Sequence, residues 1–306
     1  MKIRSIALSM ALLAPALAGA QVASIDLGNY RLTNTYSLPT PQASEASAIT
    51  WNWNTGSMFV LGDEGDAIVE VTRSGTLIGS MSLSGFDDTE GLTYIGNGQF
   101  VLVEERLQDA YLLTYTAGGS VSRSSLASAS IGATVGNVGL EGISYDPTTG
   151  QYIVVKEKTP QQVNSVALTF GAGGTGTAAV TSLFNPVGLG LLDLSDVQVL
   201  STVLDPSSPD AGNLLVYSQE SSMLLEVNRT GSVLSMYSLA GITDSAEGVT
   251  IDSNGVIYIV DESPNMYVLA PVPLPAAAWL LISGVLGLGG VRSLARKSQR
   301  ADVQTA

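Results

Sequence analysis

The chain has 306 residues, 45% of them hydrophobic and only 13% charged, and its net charge is −14. It contains no Cys and no His, which excludes disulfides, thiolate nucleophiles, imidazole bases and His-ligated metals. Six of the 13 basic residues but only one of the 27 acidic residues lie in the two ends, 1–20 and 272–306, which leaves 7 basic and 26 acidic residues between them. This net charge of −19 repels phosphate backbones and excludes nucleic acid as a partner, whereas it attracts cations; simple solubility outside the cell is the alternative explanation.

The first 20 residues have the pattern of a secretory signal peptide. Lys2 and Arg4 form the charged start, an apolar stretch follows up to Leu17, and small residues at 18–20 offer a cleavage site. The apolar stretch is short for the ~30 Å of a membrane core, which disfavours an N-terminal anchor. We therefore predict that residues 1–20 are a signal peptide and that the folded part is exported.

One motif recurs through residues 21–271. An example is the apolar strand Glu90–Tyr94. A Gly-Asn turn connects it to a second strand, Phe100–Glu105, which ends in acidic residues. A period near 50 residues with several short strands in each copy is typical of a β-propeller. We predict an all-β, five-bladed propeller; six blades is the alternative if the insert at 170–192 forms a degenerate one. The copies begin at Ser47, Glu90, Glu141, Ser195 and Glu247.

The two ends of the repeat region complement each other. Residues 30–39 resemble the outer strands expected at 77–85 and 233–241, although they precede the first repeat, and the last repeat stops after 266–269 without a fourth strand. We predict that the N-terminal strand completes the last blade, which closes the ring and removes open sheet edges. In the first repeat the four predicted strands are 47–52, 57–63, 66–72 and 76–83.

Acidic residues recur at the start of the first strand and at the end of the second strand of each repeat. Because these strands are antiparallel neighbours, both positions lie at one rim. The predicted inner ring consists of Glu90, Glu141 and Glu247 with Ser47 and Ser195, around the central channel. The outer ring consists of Glu64, Glu105, Glu157, Glu220 and Glu262, with Asp63, Glu104 and Asp261 beside it. Asp87 and Asp244, three residues before an inner Glu, add oxygens to the same face.

So many carboxylates repel one another unless something neutralises them. Only Arg106, Lys156 and Lys158 are placed to help. A Ca²⁺ ion takes six to eight oxygens at about 2.3–2.6 Å, so we predict a Ca²⁺ site at this mouth, with the two rings of glutamates and the two loop aspartates as ligands. The alternative is that the outer glutamates accept backbone N–H bonds from the next blade and tie neighbouring blades together.

Residues 272–306 are a different segment. Val272-Pro273-Leu274-Pro275-Ala276 leads into an apolar run, and Arg292, Arg296, Lys297 and Arg300 follow it. We predict a transmembrane helix at about 276–291, with the basic residues on the cytoplasmic side and the propeller outside. A soluble core helix is disfavoured because the run is rich in glycine and has no polar face.

This tail resembles the PEP-CTERM class of bacterial sorting signals, in its VPLPA variant. The match comprises the motif Val272–Ala276, the apolar span and the basic end, in that order. The resemblance implies recognition by an exosortase-type membrane enzyme and cleavage near the motif. It also implies delivery to the envelope surface or extracellular matrix of a Gram-negative bacterium, with permanent anchoring in the inner membrane as the alternative.

Residues 25–270 resemble the SdiA-regulated, YjiK-like β-propeller family. The resemblance implies an envelope-associated propeller linked to calcium, with no settled enzymatic activity. The Gly/Ala/Thr-rich insert near 171–180 and the sorting tail depart from the family pattern. The residues that carry the resemblance are Glu90–Tyr94, Glu141–Gly150, Leu194–Val197 and Glu247–Asp252.

Three functions follow from these observations. The first is an exported, envelope- or surface-associated propeller that binds Ca²⁺ and a partner without catalysis. The second is a Ca²⁺-dependent hydrolase of phytase-like or lactonase-like type, in which rim carboxylates and the metal activate water and Glu141 or Glu247 is the general base. A phosphatase also needs basic residues around the phosphate, of which the rim offers few. The third is a purely structural matrix component.

Overall fold

The computed structural model describes residues 24–272, and most of that part is β-structure. Its 3₁₀ turns are Leu27–Asn29, Arg123–Ser125, Pro186–Leu189 and Leu200–Thr202. In chain order its strands are β1 Tyr30–Ser37, β2 Ala46–Asn52, β3 Ser57–Gly62, β4 Ala67–Val71, β5 Leu77–Ser84, β6 Thr89–Gly96, β7 Gln99–Glu104, β8 Asp109–Thr114, β9 Ser120–Ser122, β10 Ala127–Ser130, β11 Leu140–Asp146, β12 Gln151–Lys156, β13 Gln162–Thr169, β14 Gly171–Ala172, β15 Thr177–Phe184, β16 Asp196–Val199, β17 Leu214–Ser218, β18 Met223–Val227, β19 Val233–Ser238, β20 Ala246–Ile251, β21 Ile257–Asp261 and β22 Asn265–Pro271.

The strands of the described part form five sheets, which are the blades of a propeller. From the inner to the outer strand the blades are β2-β3-β4-β5, β6-β7-β8-β10, β11-β12-β13-β15, β16-β17-β18-β19 and β20-β21-β22-β1. Strand β9 pairs in parallel with β5, and β14 pairs with β10. The N-terminal strand therefore completes the fifth blade, and both the five-blade count and this closure are confirmed.

The six-blade alternative is wrong. The insert at 170–192 contributes β14, which extends blade two, and the whole of β15, which is the outer strand of blade three, followed by the 3₁₀ turn Pro186–Leu189. Its strands are thus absorbed by existing sheets. Within residues 24–272 no helix is long and apolar enough to cross a membrane. The signal peptide at 1–20 and the helix at 276–291 lie outside the described residues and stay predictions.

A belt of hydroxyl groups joins the inner strands of neighbouring blades. Each group stands three residues after the start of its repeat and accepts a backbone N–H from the inner strand of the next blade, at 2.9–3.1 Å. Because the partner is buried backbone, each bond satisfies a group that would otherwise be costly to bury. The acceptors are Thr50, Thr93, Ser144 and Thr250, bonded to Tyr94, Tyr145, Val199 and Trp51.

Blade four departs from this belt and replaces it with two other contacts. The position of the hydroxyl is taken by Gln198, whose Oε1 accepts the Thr250 hydroxyl at 2.9 Å. Asp196 stands where three other repeats have glycine, and its carboxylate accepts the backbone N–H of Val249 in blade five at 2.7 Å. Burial raises the pKa of Asp196 well above its usual value. Blades four and five are therefore joined by side chains specific to this repeat.

The hydrophobic core lies between the blades, since neighbouring sheets pack face to face. Between blades one and two, Phe59 lies 4.5 Å from Phe100 and 4.8 Å from Tyr115, measured between ring centroids. Aliphatic strands fill the seams between blades two and three and between blades three and four. A larger cluster joins blades four, five and one and includes Leu27 and Tyr30 from the N-terminal segment. The closing strand is thus anchored by burial as well as by pairing.

Two arginine–aspartate pairs bind blades together at the turns opposite the acidic rim. Arg229 of blade four contacts Asp146 of blade three at 2.7 Å, and Arg73 of blade one contacts Asp252 of blade five at 2.7 Å. Both aspartates are buried, and Arg73 also lies over the ring of Trp51 at 4.5 Å. Burial raises the pKa of Asp146, but hydrogen bonds from Thr148 and Ser201 and the Arg229 charge outweigh it, so the pKa is lowered. The hydrogen bonds from Thr148 and Ser201, together with the Arg229 charge, therefore favour the ionised form of Asp146.

We expect Arg229→Met to destabilise the protein by about 3 kcal/mol at pH 7, because it leaves the Asp146 carboxylate buried without its counter-ion. The stabilising contribution of a carboxyl with a lowered pKa is present above its unfolded pKa and is lost as the pH falls through its folded pKa. The difference between variant and wild type should therefore shrink below about pH 3.8. Urea unfolding at pH 7 and pH 3 measures it. Arg31→Met, at an exposed arginine bonded only to backbone carbonyls, is the control; an equal loss in both variants would contradict the prediction.

Candidate functional site

A β-bulge aims the first acidic residue of each full repeat into the mouth of the channel. The pairing of inner strand with second strand skips one residue between Thr89 and Gly91, and likewise at Glu141 and Glu247. Ser47 in blade one sits in the same bulge. A bulge leaves its extra residue unpaired and turns the side chain out of the sheet. In blades two, three and five the glutamate that begins the repeat is thus the bulged residue, and it lines the mouth of the channel. The pairing of blade four starts at Asp196 and shows no such bulge.

The glycine after each bulged glutamate allows the next blade to approach. A Cβ at Gly142 would lie 2.4 Å from Asp196 Oδ1 and 2.7 Å from its Cα, and one at Gly91 would lie 2.9 Å from the carbonyl oxygen of Glu141. No side chain fits at these distances. The Glu-Gly pair therefore combines a channel-facing carboxylate with the contact that brings the next carboxylate close.

These features create one acidic cavity of about 260 Å³ at the mouth. It is lined by nine carboxylates from all five blades and by a single basic residue. The lining residues are Asp63, Asp88, Glu90, Glu105, Arg106, Asn137, Glu141, Glu157, Asp193, Ser195, Gln219, Glu247 and Glu262.

Six of the ten predicted ligands line this cavity, and four do not. The six are Glu90, Glu141, Glu247, Glu105, Glu157 and Glu262. Asp87 lies outside with its side chain 79% exposed, and Glu220 is 46% exposed and paired with Lys158 at 2.7 Å. Glu64 and Asp244 are also exposed. For these four the structure places the carboxylate outside the cavity, because each stands in a loop or turn with its side chain exposed to solvent.

Several lining residues were not among the predicted ligands. Asp63 lines the cavity where Glu64 was expected to do so, and Asp88 lines it where Asp87 was expected to do so. Asp193 accepts hydrogen bonds from Ser195, Ser218 and the backbone N–H of Glu220, so it holds the blade-four loop together. For Asp193, the one feature of the sequence that points to the cavity is its short distance along the chain from Ser195, a residue of the predicted inner ring.

Two of the carboxylates beside the outer ring are structural. Both oxygens of Glu104 accept Arg123 at 2.9 and 3.0 Å, and Asp261 accepts the hydroxyls of Thr243 and Tyr267. The alternative proposed for the outer ring fits Glu105, whose Oε1 accepts the backbone N–H of Gly139, just before blade three, at 2.8 Å. The same carboxyl also interacts with Asp88 and Glu141 inside the cavity.

Burial and mutual repulsion displace the pKa values of the cavity carboxyls upward. Burial and the neighbouring Glu247 raise the pKa of Glu90 well above its usual value, and burial and Glu90 do the same for Glu141. Burial raises the pKa of Glu105 to about 7, with Asp88 adding to it. Burial and Glu262 raise the pKa of Glu247 to about 7. Without a cation, the cavity therefore holds protons at neutral pH.

Fold and site together define a five-bladed β-propeller with an acid-lined mouth. The family model described as SdiA-regulated matches residues 23–270, and the chain belongs to that family.

Several solved structures are similar to this chain at low sequence identity. Glutaminyl cyclase of Myxococcus xanthus has a TM-score of 0.51 and 11% identity over 79% of this chain and 95% of its own. Virginiamycin B lyase of Staphylococcus aureus has a TM-score of 0.41 and 14% identity, and the match covers 78% of this chain and 69% of the lyase. The WD40 propeller domain of Doa1 has a TM-score of 0.45 and 11% identity, and the match covers 79% of this chain and 97% of the domain. At such identities the likeness concerns the fold alone.

Proposed function

We propose that the protein is an exported propeller of the cell envelope or surface whose acidic mouth binds a divalent cation, and that it acts by binding a partner and not by catalysis. Ca²⁺ suits the mouth best because the donors are carboxylate oxygens on rigid strands and no nitrogen or sulfur ligand is present. The observation that carries the proposal is the convergence of nine carboxylates and one arginine in a cavity of about 260 Å³. A purely structural role would not need such a costly concentration of like charge.

The cellular part of the proposal rests on the two ends of the chain. The signal-peptide pattern at 1–20 supports export, and the VPLPA-type tail supports handling by an exosortase-type enzyme. Release would place the propeller at the surface or in the matrix, and retention of the tail would anchor it to the membrane. The partner is then a component of that surface or matrix.

We expect isothermal titration to show Ca²⁺ binding with a Kd of about 0.1–1 mM, the range of extracellular modules. Calcium at 100 times Kd should stabilise the protein by about 2.7 kcal/mol, which is a rise in Tm of roughly 5–10 °C for a domain of this size. Mg²⁺ at equal concentration, which prefers fewer and shorter oxygen contacts, is the control. Neither heat nor a thermal shift with Ca²⁺ would contradict the proposal.

A calcium-dependent hydrolase is the second candidate, and one residue favours it. Glu247 has a pKa of about 7, suited to a general base, and Gln219 Nε2 holds its Oε1 at 3.1 Å. Against it, Arg106 is the one basic residue lining the cavity, and it is paired with Asp88 at 3.0 Å. Turnover of phytate or simple lactones that requires Ca²⁺ and falls at least 100-fold in Glu247→Gln would establish this function; no turnover in the wild type would reject it.

A further inference from the structure

Asp88 contributes an unsatisfied carboxylate oxygen to one side of the cavity. Its side chain is only 9% exposed, and its Oδ1 lies 3.0 Å from Arg106 Nη2. Its Oδ2 is buried and accepts no hydrogen bond from an N–H or hydroxyl group in the described structure. The Glu105 carboxyl beside it can donate only while it is protonated. Once Glu105 ionises, the Asp88 oxygen is buried without a donor, which is costly because it has given up water. A cation at this point would remove that cost.

Three further carboxylates meet beside Asp88 across the seam between blades two and three. Glu105, Glu141 and Glu157 each offer an oxygen within 4.8 Å of the other two. Oxygens on opposite sides of a Ca²⁺ ion stand about 4.6–5.2 Å apart, since each is about 2.3–2.6 Å from the metal. The Asp88 carboxyl group interacts with that of Glu105, so Asp88 lies at the edge of this cluster, beside the three residues whose oxygens are all within 4.8 Å of one another.

We propose that the cation is held off the channel axis, between blades two and three, by Asp88, Glu105, Glu141 and Glu157. This inference rests on the proposed function and assigns its ligands. The cation would thereby join two blades through side chains of both. The three inner glutamates, Glu90, Glu141 and Glu247, would not contribute equally.

Charge balance supports this placement. Four ionised carboxylates carry a charge of −4, and two cationic side chains offset part of it: Arg106 contacts Asp88 at 3.0 Å, and Lys158 contacts Glu157 at 2.6 Å. Both cations are shared, since Arg106 also lies 3.6 Å from Asp87 and Lys158 also lies 2.7 Å from Glu220. At least two negative charges therefore remain for a divalent cation to neutralise. A buried cluster neutralised in this way avoids the large cost of isolated buried charge.

The opposite side of the cavity already has protein donors for its oxygens. Glu247 accepts the Gln219 amide at 3.1 Å, and Asp193 accepts serine hydroxyls and the Glu220 backbone N–H. A metal that bound there would compete with these donors, whereas Asp88 Oδ2 accepts no N–H or hydroxyl group that a metal would displace. The side of the cavity between blades two and three is therefore the better site for the cation.

Calorimetric titration of Ca²⁺ into four proteins tests the assignment: the wild type, Asp88→Asn, Asp87→Asn and Glu247→Gln. We expect Asp88→Asn to weaken binding at least tenfold. Asp87→Asn, an adjacent substitution of the same chemistry at a side chain 79% exposed, should change Kd by less than threefold. Glu247→Gln removes a charge on the far side of the same cavity and should weaken binding less than Asp88→Asn does. Thermal unfolding in EDTA verifies that each variant is folded, and Glu157→Gln, at a partly exposed position, replaces Asp88→Asn if that variant does not fold.

Two results would overturn the assignment while leaving calcium binding intact. One is normal binding by Asp88→Asn with loss in Glu247→Gln, which would move the cation to the other side. The other is an equal loss in Asp88→Asn and Glu247→Gln, which would place it on the channel axis. No binding by the wild-type protein would overturn the proposed function itself, so the two failures are distinguishable.

Discussion

In EDTA, the protein is expected to lose stability as the pH rises from 5 to 8, opposite to the behaviour of a protein whose acids are paired with bases. The cause is the set of carboxyls in the acidic cavity. Glu105 and Glu247 have pKa values of about 7, and those of Glu90 and Glu141 lie well above the usual 4.5. In the unfolded chain all four ionise near pH 4.5.

The direction follows from proton counting. Between pH 4.5 and 7 the unfolded chain has released these protons while the native cavity still holds them, so stability falls as the pH rises. The contribution is complete below the unfolded pKa and is lost through the folded pKa. At about 1.4 kcal/mol per pH unit of displacement, Glu105 or Glu247 alone accounts for roughly 3 kcal/mol. The four contributions overlap because the groups repel one another, and we expect a fall in Tm of about 10 °C.

Saturating Ca²⁺ is expected to reverse this slope. A metal binds the ionised carboxylates, so its affinity grows as the protons leave. The stabilisation by Ca²⁺ should therefore be small at pH 5 and largest at pH 8. Thermal melts at four pH values, in EDTA and in 10 mM CaCl₂, measure both effects, with NaCl at matched ionic strength as the control for screening. A melting temperature in EDTA that rises from pH 5 to pH 8 would contradict the electrostatic description of the cavity.

The architecture could be predicted from the sequence because its determinants are local and repeated. The first blade was predicted as 47–52, 57–63, 66–72 and 76–83, and the four strands Ala46–Asn52, Ser57–Gly62, Ala67–Val71 and Leu77–Ser84 agree within two residues. Alternating apolar residues and glycine turns set these boundaries. The closing strand could be predicted because an outer strand was missing at one end of the repeats and present at the other.

The site could be predicted only to the level of the rim. At the end of the second strand of each blade stand two adjacent polar residues, and only one of them lines the cavity. The second of them lines it in blades two, three and five, as Glu105, Glu157 and Glu262, whereas the first does so in blades one and four, as Asp63 and Gln219. Which residue of a pair faces inward depends on the local turn, and periodicity carries no information about that.

Asp88 illustrates the same limit. Asp87 and Asp88 are adjacent and chemically identical, yet one is exposed and the other is buried in the cavity. The difference lies in the backbone, since Asp88 has a left-handed φ of +69°. Asp residues tolerate this conformation better than most, but the sequence alone does not say which of two aspartates adopts it. The ligands of a loop site therefore required the structure.

Gly248→Ala is expected to destabilise the protein by about 3 kcal/mol, because the inner strands of blades five and one leave no room for a methyl group. The added Cβ would lie 2.8 Å from the carbonyl oxygen of Ser47, 2.9 Å from Cα of Ala48 and 2.9 Å from the backbone nitrogen of Ile49. All three atoms are backbone, so no change of rotamer relieves the contact. The two blades must separate at the point where the ring closes.

The matched control is Gly188→Ala, since a Cβ at Gly188 meets nothing within 4 Å and its stability should change by less than about 0.5 kcal/mol. Urea unfolding compares the two variants, with a fall in Tm of roughly 10 °C expected for Gly248→Ala alone. Separation of the blades would also displace Glu247 and widen the mouth. A Gly248→Ala protein as stable as the wild type would contradict the explanation of the Glu-Gly pair, because glycine would then not be needed for the close approach that concentrates the carboxylates.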